Sequence, residues 1–364
     1  MARPILICAG GTGGHLFPAQ ALAQELRRRN RKAFVITDSR GLRWRDAFSE
    51  APMYRTLSGT TEQKGAGNRL MALLLLAVGT LQSLVLIVRF RPRIAIGFGG
   101  YPSLPGMFGA MLGGARTCLH EQNRVVGRAN KLLAPRMTSI ALTFPQPKGL
   151  VPKALAKATV TGNPVRDAVI AMRAQPYPEL SSAGPIRILC FGGSQGATVF
   201  SHVVPDAIVS LPDTIRSRIQ LVQQCRAEDL ERVRAAYQEA GLSVEIGTFF
   251  SDLPERMAQA HLVISRSGAS TVCELTVIGR PAILVPLKGA LDGDQAANAA
   301  FLQEAGAAVM YREQDFTADG LKDCLVDLLS DPHRLKQCAQ IAHDLGRPDA
   351  VTALADLVER TEGA

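Results

Sequence analysis

The sequence predicts an α/β protein of two doubly wound domains, each a parallel sheet with helices on both faces. Three observations predict it. Short apolar, β-rich runs alternate with helical segments along the whole chain, the pattern of strands buried on both faces. The chain opens PILICAGGTGG at Pro4 and reopens IRILCFGGSQG at Ile186, a repeated strand, glycine loop and helix start. Its 364 residues exceed one ordinary core, while 47% apolar and 20% charged residues make a globular chain.

In the first half the strands read ILICA from Ile5, AFVITD from Ala33, RIAIGFGG from Arg93, TCLHEQ from Thr117 and SIALTF from Ser139, with FPAQALAQELRRR a helix after the first. The second half restarts with IRILCF, then IQLVQQC from Ile219, SVEIGTFF from Ser243, HLVIS from His261 and PAILVPL from Pro281. The break belongs near TGNPVRDAV, before the Pro- and Ser-rich loop QPYPELSSAGP. Domains of 1–163 and 164–346 follow, with 347–364 a last helix that can pack back on the first domain.

The balance of 41 basic to 32 acidic residues favours an anionic partner: nucleic acid, a phosphorylated substrate or an acidic membrane face. Only 5% aromatic residues and one Trp argue against a stacking platform for nucleic acid. Seven scattered cysteines without a CxxC read as reduced thiols of a cytosolic chain. A core strand from Ile5 leaves no room for a cleavable signal peptide, which counts against an exported solute-binding protein.

The run LMALLLLAVGTLQSLVLIV, residues 70–88, carries no charge and is long enough as a helix to cross a bilayer. A crossing would split strands that belong to one sheet, so we expect a helix lying on the sheet with one apolar stripe uncovered. Rimmed by Arg69, Arg89, Arg91 and Arg93, such a stripe suits shallow insertion into an anionic membrane; a fully buried core helix is the alternative. The basic run RRRNRK, residues 27–32, reads as a solvated face at a helix end.

Gly10, Gly11, Gly13 and Gly14, with Thr12, let backbone N–H groups approach a diphosphate at the start of the following helix. Asp38 ends the second strand where a dinucleotide enzyme would place its ribose ligand, so a nicotinamide enzyme is a rival. That rival does not predict further glycine loops at Gly97–Gly100 and Gly192–Gly196, nor SRSGASTVCE near the chain's last strands. There Glu274 sits one turn into a helix, suited to a ribose, while Ser270 or Thr271 as a plain helix cap is the simpler reading. His15 follows the first loop and can serve as a general base or phosphate donor, and His120, Glu121, Gln122 and Asn123 add polar groups at another strand end. None of the six histidines has metal-ligand spacing, so no metal or cofactor is called for.

The strings GGTGGHLFPA, GFGGYPSLPG, HEQN, TGNPVR, GGSQGA, SRSGASTVCEL and DQAANA occur here in order, and together they resemble the MurG family of bacterial glycosyltransferases. The resemblance implies the GT-B fold, two Rossmann-like domains with an interdomain cleft. It implies transfer of GlcNAc from UDP-GlcNAc, with inversion, to the C4 hydroxyl of MurNAc in undecaprenyl-diphosphate-MurNAc-pentapeptide, lipid I. The donor contacts it implies are Thr12, Gly13, Gly14, Asn123, Arg166, Ser194, Phe250, Ala269, Ser270, Thr271, Val272, Cys273, Glu274 and Gln295. Acceptor or membrane contacts are Gly99, Gly100, Tyr101, Lys64, Arg69, Leu70, Leu74 and Leu75, with His15 or Glu121 the catalytic base. A peripheral place on the cytoplasmic face of the inner membrane, near other cell-wall synthesis proteins, is implied as well. Rivals are a UDP-sugar transferase with another acceptor and a nucleotide-sugar epimerase. Three positions depart from the family pattern: Asp294 stands where relatives often have His, the loop 59–68 lacks an arginine, and Pro102 alters the third glycine loop.

Overall fold

The computed structural model describes residues 3–11, 13–48, 51–59, 66–193, 196–290 and 293–363. The chain divides into two units, Met1–Arg166 with Pro348–Ala364, and Asp167–Arg347.

The first unit holds seven parallel strands: β1 (Ile5–Cys8), β2 (Ala33–Thr37), β3 (Met53–Arg55), β4 (Ile94–Gly97), β5 (Arg116–Glu121), β6 (Ser139–Leu142) and β7 (Ala158–Val160). Their order is β3-β2-β1-β4-β5-β6-β7. Growth of the sheet reverses at β1 and β4, which pair with Cys8 opposite Gly97. A switch of this kind leaves a crevice outside the carboxyl ends of the two strands.

Both faces are covered, so β1, β2 and β4 are apolar without alternation. On one face α1 (Gly13–Arg28) turns Leu16, Ala19, Leu22 and Leu26 inward at helical spacing, against Ile5, Ile7 and the C-terminal helix Ala350–Gly363. The basic run at its end is not a simple solvated face: Arg29 pairs with Asp356 and Glu359, and Arg31 with Glu359 and Glu362. These bonds fasten the last helix to the first domain.

On the other face lie α2 (Ala66–Phe90) and α3 (Leu104–Leu112). Helix α2 packs through Ala72, Gly79, Ser83 and Ile87, one narrow stripe of mostly small residues. A Cβ on Gly79 would fall 1.9 Å from the Leu57 carbonyl oxygen, and one on Gly109 of α3 would lie 3.0 Å from Ser83 and Ile87. The polar residues that interrupt the run are therefore its contacts: Ser83 donates to the Gly79 carbonyl, and Gln82 accepts from the Leu57 amide at 2.9 Å. The opposite side, with Leu70, Leu73, Leu74, Leu81, Val85 and Val88, is exposed. Leu75 is only half exposed and lies off the centre of that face.

The second unit repeats the plan with β8 (Ile186–Phe191), β9 (Ile219–Gln224), β10 (Glu245–Gly247), β11 (Leu262–Ser265), β12 (Ala282–Leu284) and β13 (Ala308–Met310), in the order β10-β9-β8-β11-β12-β13. Its switch lies between β8 and β11. The core gathers Ile188, Cys190, Phe200, Val204 and Ile264 with Leu321 and Leu325 of a later helix. Arg280 is fully buried here, its guanidinium donating to the carbonyls of Met257, Ala258, Ile278 and Gly279, so hydrogen bonds offset its desolvation.

Candidate active site

In the first unit, the loops after β1 and β4 meet at the switch. Gly11 has φ +84°, Gly99 +82° and Gly100 +71°, conformations that an L side chain rarely adopts. Asp38 closes this corner: one carboxylate oxygen accepts from Gly11 N at 3.3 Å and Gly41 N at 2.9 Å, the other from Arg40 Nε at 2.9 Å. Its oxygens brace the loop and are not presented to a ribose, which removes the observation that favoured a nicotinamide enzyme.

His15 lies in the first turn of α1, its ring edge against the second loop. A Cβ on Gly100 would stand 3.3 Å from His15 Cδ2 and 3.4 Å from Nε2, so glycine there keeps that edge uncrowded. The other ring nitrogen, Nδ1, is 3.2 Å from Gln122 Oε1. Gln122 Nε2 in turn is 2.8 Å from the Phe98 carbonyl and 3.1 Å from His120 Nδ1, and His120 Nε2 is 3.1 Å from the Gly162 carbonyl. Complete burial favours the neutral His120 ring and lowers its pKa from 6.5 to about 4.

Glu121 has a different setting. One oxygen accepts from Asn123 N at 2.9 Å, the other from Gly127 N and Asn130 Nδ2, each at 2.9 Å. Burial raises its pKa while those three donors pull it down. With three donors on a buried carboxylate, its geometry is that of a brace for the loop 122–127. Asn130 was not legible as a partner, because it lies on the following helix with no local motif. Arg166 is exposed at the end of this unit, Gly14 is exposed and Gly13 partly so. Thr12 and Lys64 lie outside the described residues.

In the second unit the helix Ala269–Ile278 starts directly after β11, and its Val272 N–H reaches the Gly268 carbonyl at 3.0 Å. Ala269, Ser270 and Thr271 form a half-exposed first turn, while Val272, Cys273 and Glu274 are buried. Its amide ends and dipole make that first turn a place for an anion. Around it, Ser267 Oγ donates to the Gln295 carbonyl at 2.9 Å, and Asn298 Nδ2 to the Ser267 carbonyl at 3.2 Å. The Gln295 side chain accepts from Leu287 N at 3.0 Å, and Asp294 accepts from Gln295 N at 2.8 Å.

Two further residues, missed in the sequence, hold that corner. Arg266, buried at the end of β11, pairs with Glu313 at 2.7 Å, and Glu313 also accepts from Lys288 N at 2.9 Å. Across the same unit Phe250 lies under the Arg256 guanidinium, 4.6 Å from ring centre, and Arg256 is held by Glu245 and Asp252. Ser194 lies outside the described residues.

The sequence matches the glycosyltransferase family 28 N-terminal domain over residues 5–142 and the family's C-terminal domain over 187–354. It is 46% identical over 354 residues to a protein of Paramagnetospirillum magneticum, covering 97% of this chain and 95% of the relative. It is 49% identical over 364 residues to one of Methylobacterium nodulans, covering 99% and 98%. Both relatives are named UDP-N-acetylglucosamine–N-acetylmuramyl-(pentapeptide) pyrophosphoryl-undecaprenol N-acetylglucosamine transferase. Among solved structures, Acinetobacter baumannii MurG matches with a TM-score of 0.82 at 26% identity, over 98% of this chain and 99% of that one.

Proposed function

The chain belongs to glycosyltransferase family 28 and within it to the MurG family, and from that premise we propose how its residues carry out the transfer of GlcNAc from UDP-GlcNAc to lipid I. The observation behind the reaction is the near full-length likeness to transferases of that name. The product is lipid II, the disaccharide-bearing precursor of peptidoglycan.

The second unit takes the donor. The first turn of the helix Ala269–Ile278 faces the diphosphate, Glu274 accepts from the ribose hydroxyls, Gln295 serves the sugar hydroxyls and the Phe250 backbone faces uracil. The first unit takes the acceptor diphosphate on the loop Gly99–Tyr101, and its Gly13 and Gly14 face the donor. His15 removes the proton of the C4 hydroxyl as its oxygen attacks the anomeric carbon. The bond from that carbon to the β-phosphate oxygen breaks with inversion, UDP leaves with the electron pair, and the proton stays on His15. Developing charge on UDP is met by helix-end amides, which are already oriented before the reaction. The exposed face of α2 rests on an anionic membrane, which makes the enzyme peripheral at the cytoplasmic side.

A transfer assay with radiolabelled UDP-GlcNAc and a lipid I analogue tests this. Label in the lipid, with UDP-glucose a poor donor, supports it. Epimerised UDP-sugar, or label transferred only to a different acceptor, overturns it.

A further inference from the structure

The contacts around His15 form a line through the first unit, and carbonyls that can only accept fix its protons. At one end the Gly162 carbonyl lies 3.1 Å from His120 Nε2, so that nitrogen carries hydrogen. A neutral His120 then offers Nδ1 as an acceptor. In the middle, the Gln122 amide nitrogen gives one hydrogen to the Phe98 carbonyl and the other to His120 Nδ1. Turning the amide over would set its oxygen against the Phe98 carbonyl oxygen, so its orientation is decided. Gln122 Oε1 therefore faces His15 Nδ1 at 3.2 Å, and an amide oxygen can only accept.

We propose that Gln122 and His120 are positioning residues that hold the neutral His15 ring with its proton on Nδ1, making Nε2 the basic nitrogen. That nitrogen belongs to the ring edge lying against Gly100, on the loop read as taking the acceptor. The inference deepens the reading of His15 as the base and rests on it. His120 touches no reacting atom; it acts by fixing the amide, and the amide acts by fixing the ring. The opposite tautomer would point the Nδ1 lone pair at the Gln122 oxygen, whose orientation the Phe98 carbonyl and His120 have fixed. Burial keeps His120 neutral at the pH of transfer, so the line is not broken by protonation at its far end.

The test is nitrogen–proton correlation NMR of the whole protein carrying isotope-labelled histidine, with His15 assigned by its loss in His15→Gln. Beyond that assignment, the tautomer is read from the wild-type protein itself. A His15 pattern of protonated Nδ1 and bare Nε2 is expected; protonated Nε2 overturns the proposal, whatever His15 does in catalysis. Gln122→Met keeps the side-chain length and removes the amide. It is expected to mix the two tautomers and lower kcat by about tenfold or more with KM for UDP-GlcNAc little changed. Tautomers unchanged in Gln122→Met also overturn it. If the tautomer is as stated but His15→Gln turns over normally, the base assignment fails while the line stands.

Discussion

Gly10 and Pro102 meet across two loops of the first sheet: a Cβ on Gly10 would lie 2.7 Å from the Cβ of Pro102. The absent side chain at Gly10 leaves room for the Pro102 ring at the β1/β4 switch.

Gly10→Ala is therefore expected to force the two loops apart. Overpacking of this kind costs about 1–3 kcal/mol, and the displaced loops should lower transfer together with stability. Pro102→Gly in the same chain should recover part of both, leaving the remaining approaches to Thr37 and Asp38, each 3.0 Å. Melting temperature and transfer rate of the single and double variants check the coupling. Additive losses would mean that the two positions act independently.

Glu121 separates a brace from a base. Its carboxylate accepts from Asn123 N, Gly127 N and Asn130 Nδ2, and an amide at this position must turn its NH2 toward one of those donors. Glu121→Gln should then cost about 1–3 kcal/mol, the usual penalty of a buried donor left facing a donor. The melting temperature should fall with the loss of turnover. An unchanged melting temperature with abolished turnover would instead give Glu121 a direct part in proton transfer.

The strands were legible where both faces are covered, because β1, β2, β4 and β11 become apolar runs, as does β8 after its exposed Arg187. The three-residue edge strands β3, β7 and β13 were not, since their residues are partly exposed and leave no such run. Glycine loops were legible as loops, but not the company they keep. Nothing near Asp38 in the chain says that it ties Gly11 to Gly41, and nothing near Glu121 announces Asn130. Gly11 is brought to Asp38 by the crossing of segments 27 residues apart, and Asn130 to Glu121 by the turn of the intervening loop, neither of which local pattern records. Helix α2 shows the same limit: its hydropathy gave length without a face, and only packing reveals that Gly79 and Ser83 lie inside.

His120 gives a pH signature of folding. Its ordinary value of 6.5 is lowered to about 4 in the native state, so between those values the unfolded chain binds the extra proton. Stability from this group is complete above about pH 6.5 and lost as pH falls to about 4. At about 1.4 kcal/mol for each unit of pKa, the loss is on the order of 3 kcal/mol. The chain's single Trp, Trp44, belongs to the first unit, so its fluorescence in urea titrations reports that unit. The midpoint should fall between pH 7 and pH 4.5, and His120→Asn should flatten the fall. An equal fall in that variant would assign the sensitivity to other groups.

Helix α2 is long and apolar enough to cross a membrane, and most of its apolar stretch between Gly67 and Phe90 is uncovered. Its ends say otherwise. β3 precedes it and β4 follows it, and both are strands of one parallel sheet, so the helix leaves and rejoins the same side. A crossover helix with one bare apolar face suits a lipid surface rather than a lipid interior. Leu74 and Leu81 are 53% and 62% exposed, so Leu74→Asp with Leu81→Asp should leave the melting temperature close to that of the parent. The same variant should no longer float with vesicles containing anionic lipid, and it should lose transfer to a lipid-embedded acceptor while keeping transfer to a short-chain soluble analogue. Flotation unchanged would move membrane contact to another surface. Equal loss with both acceptors would trace the defect to the acceptor loops themselves.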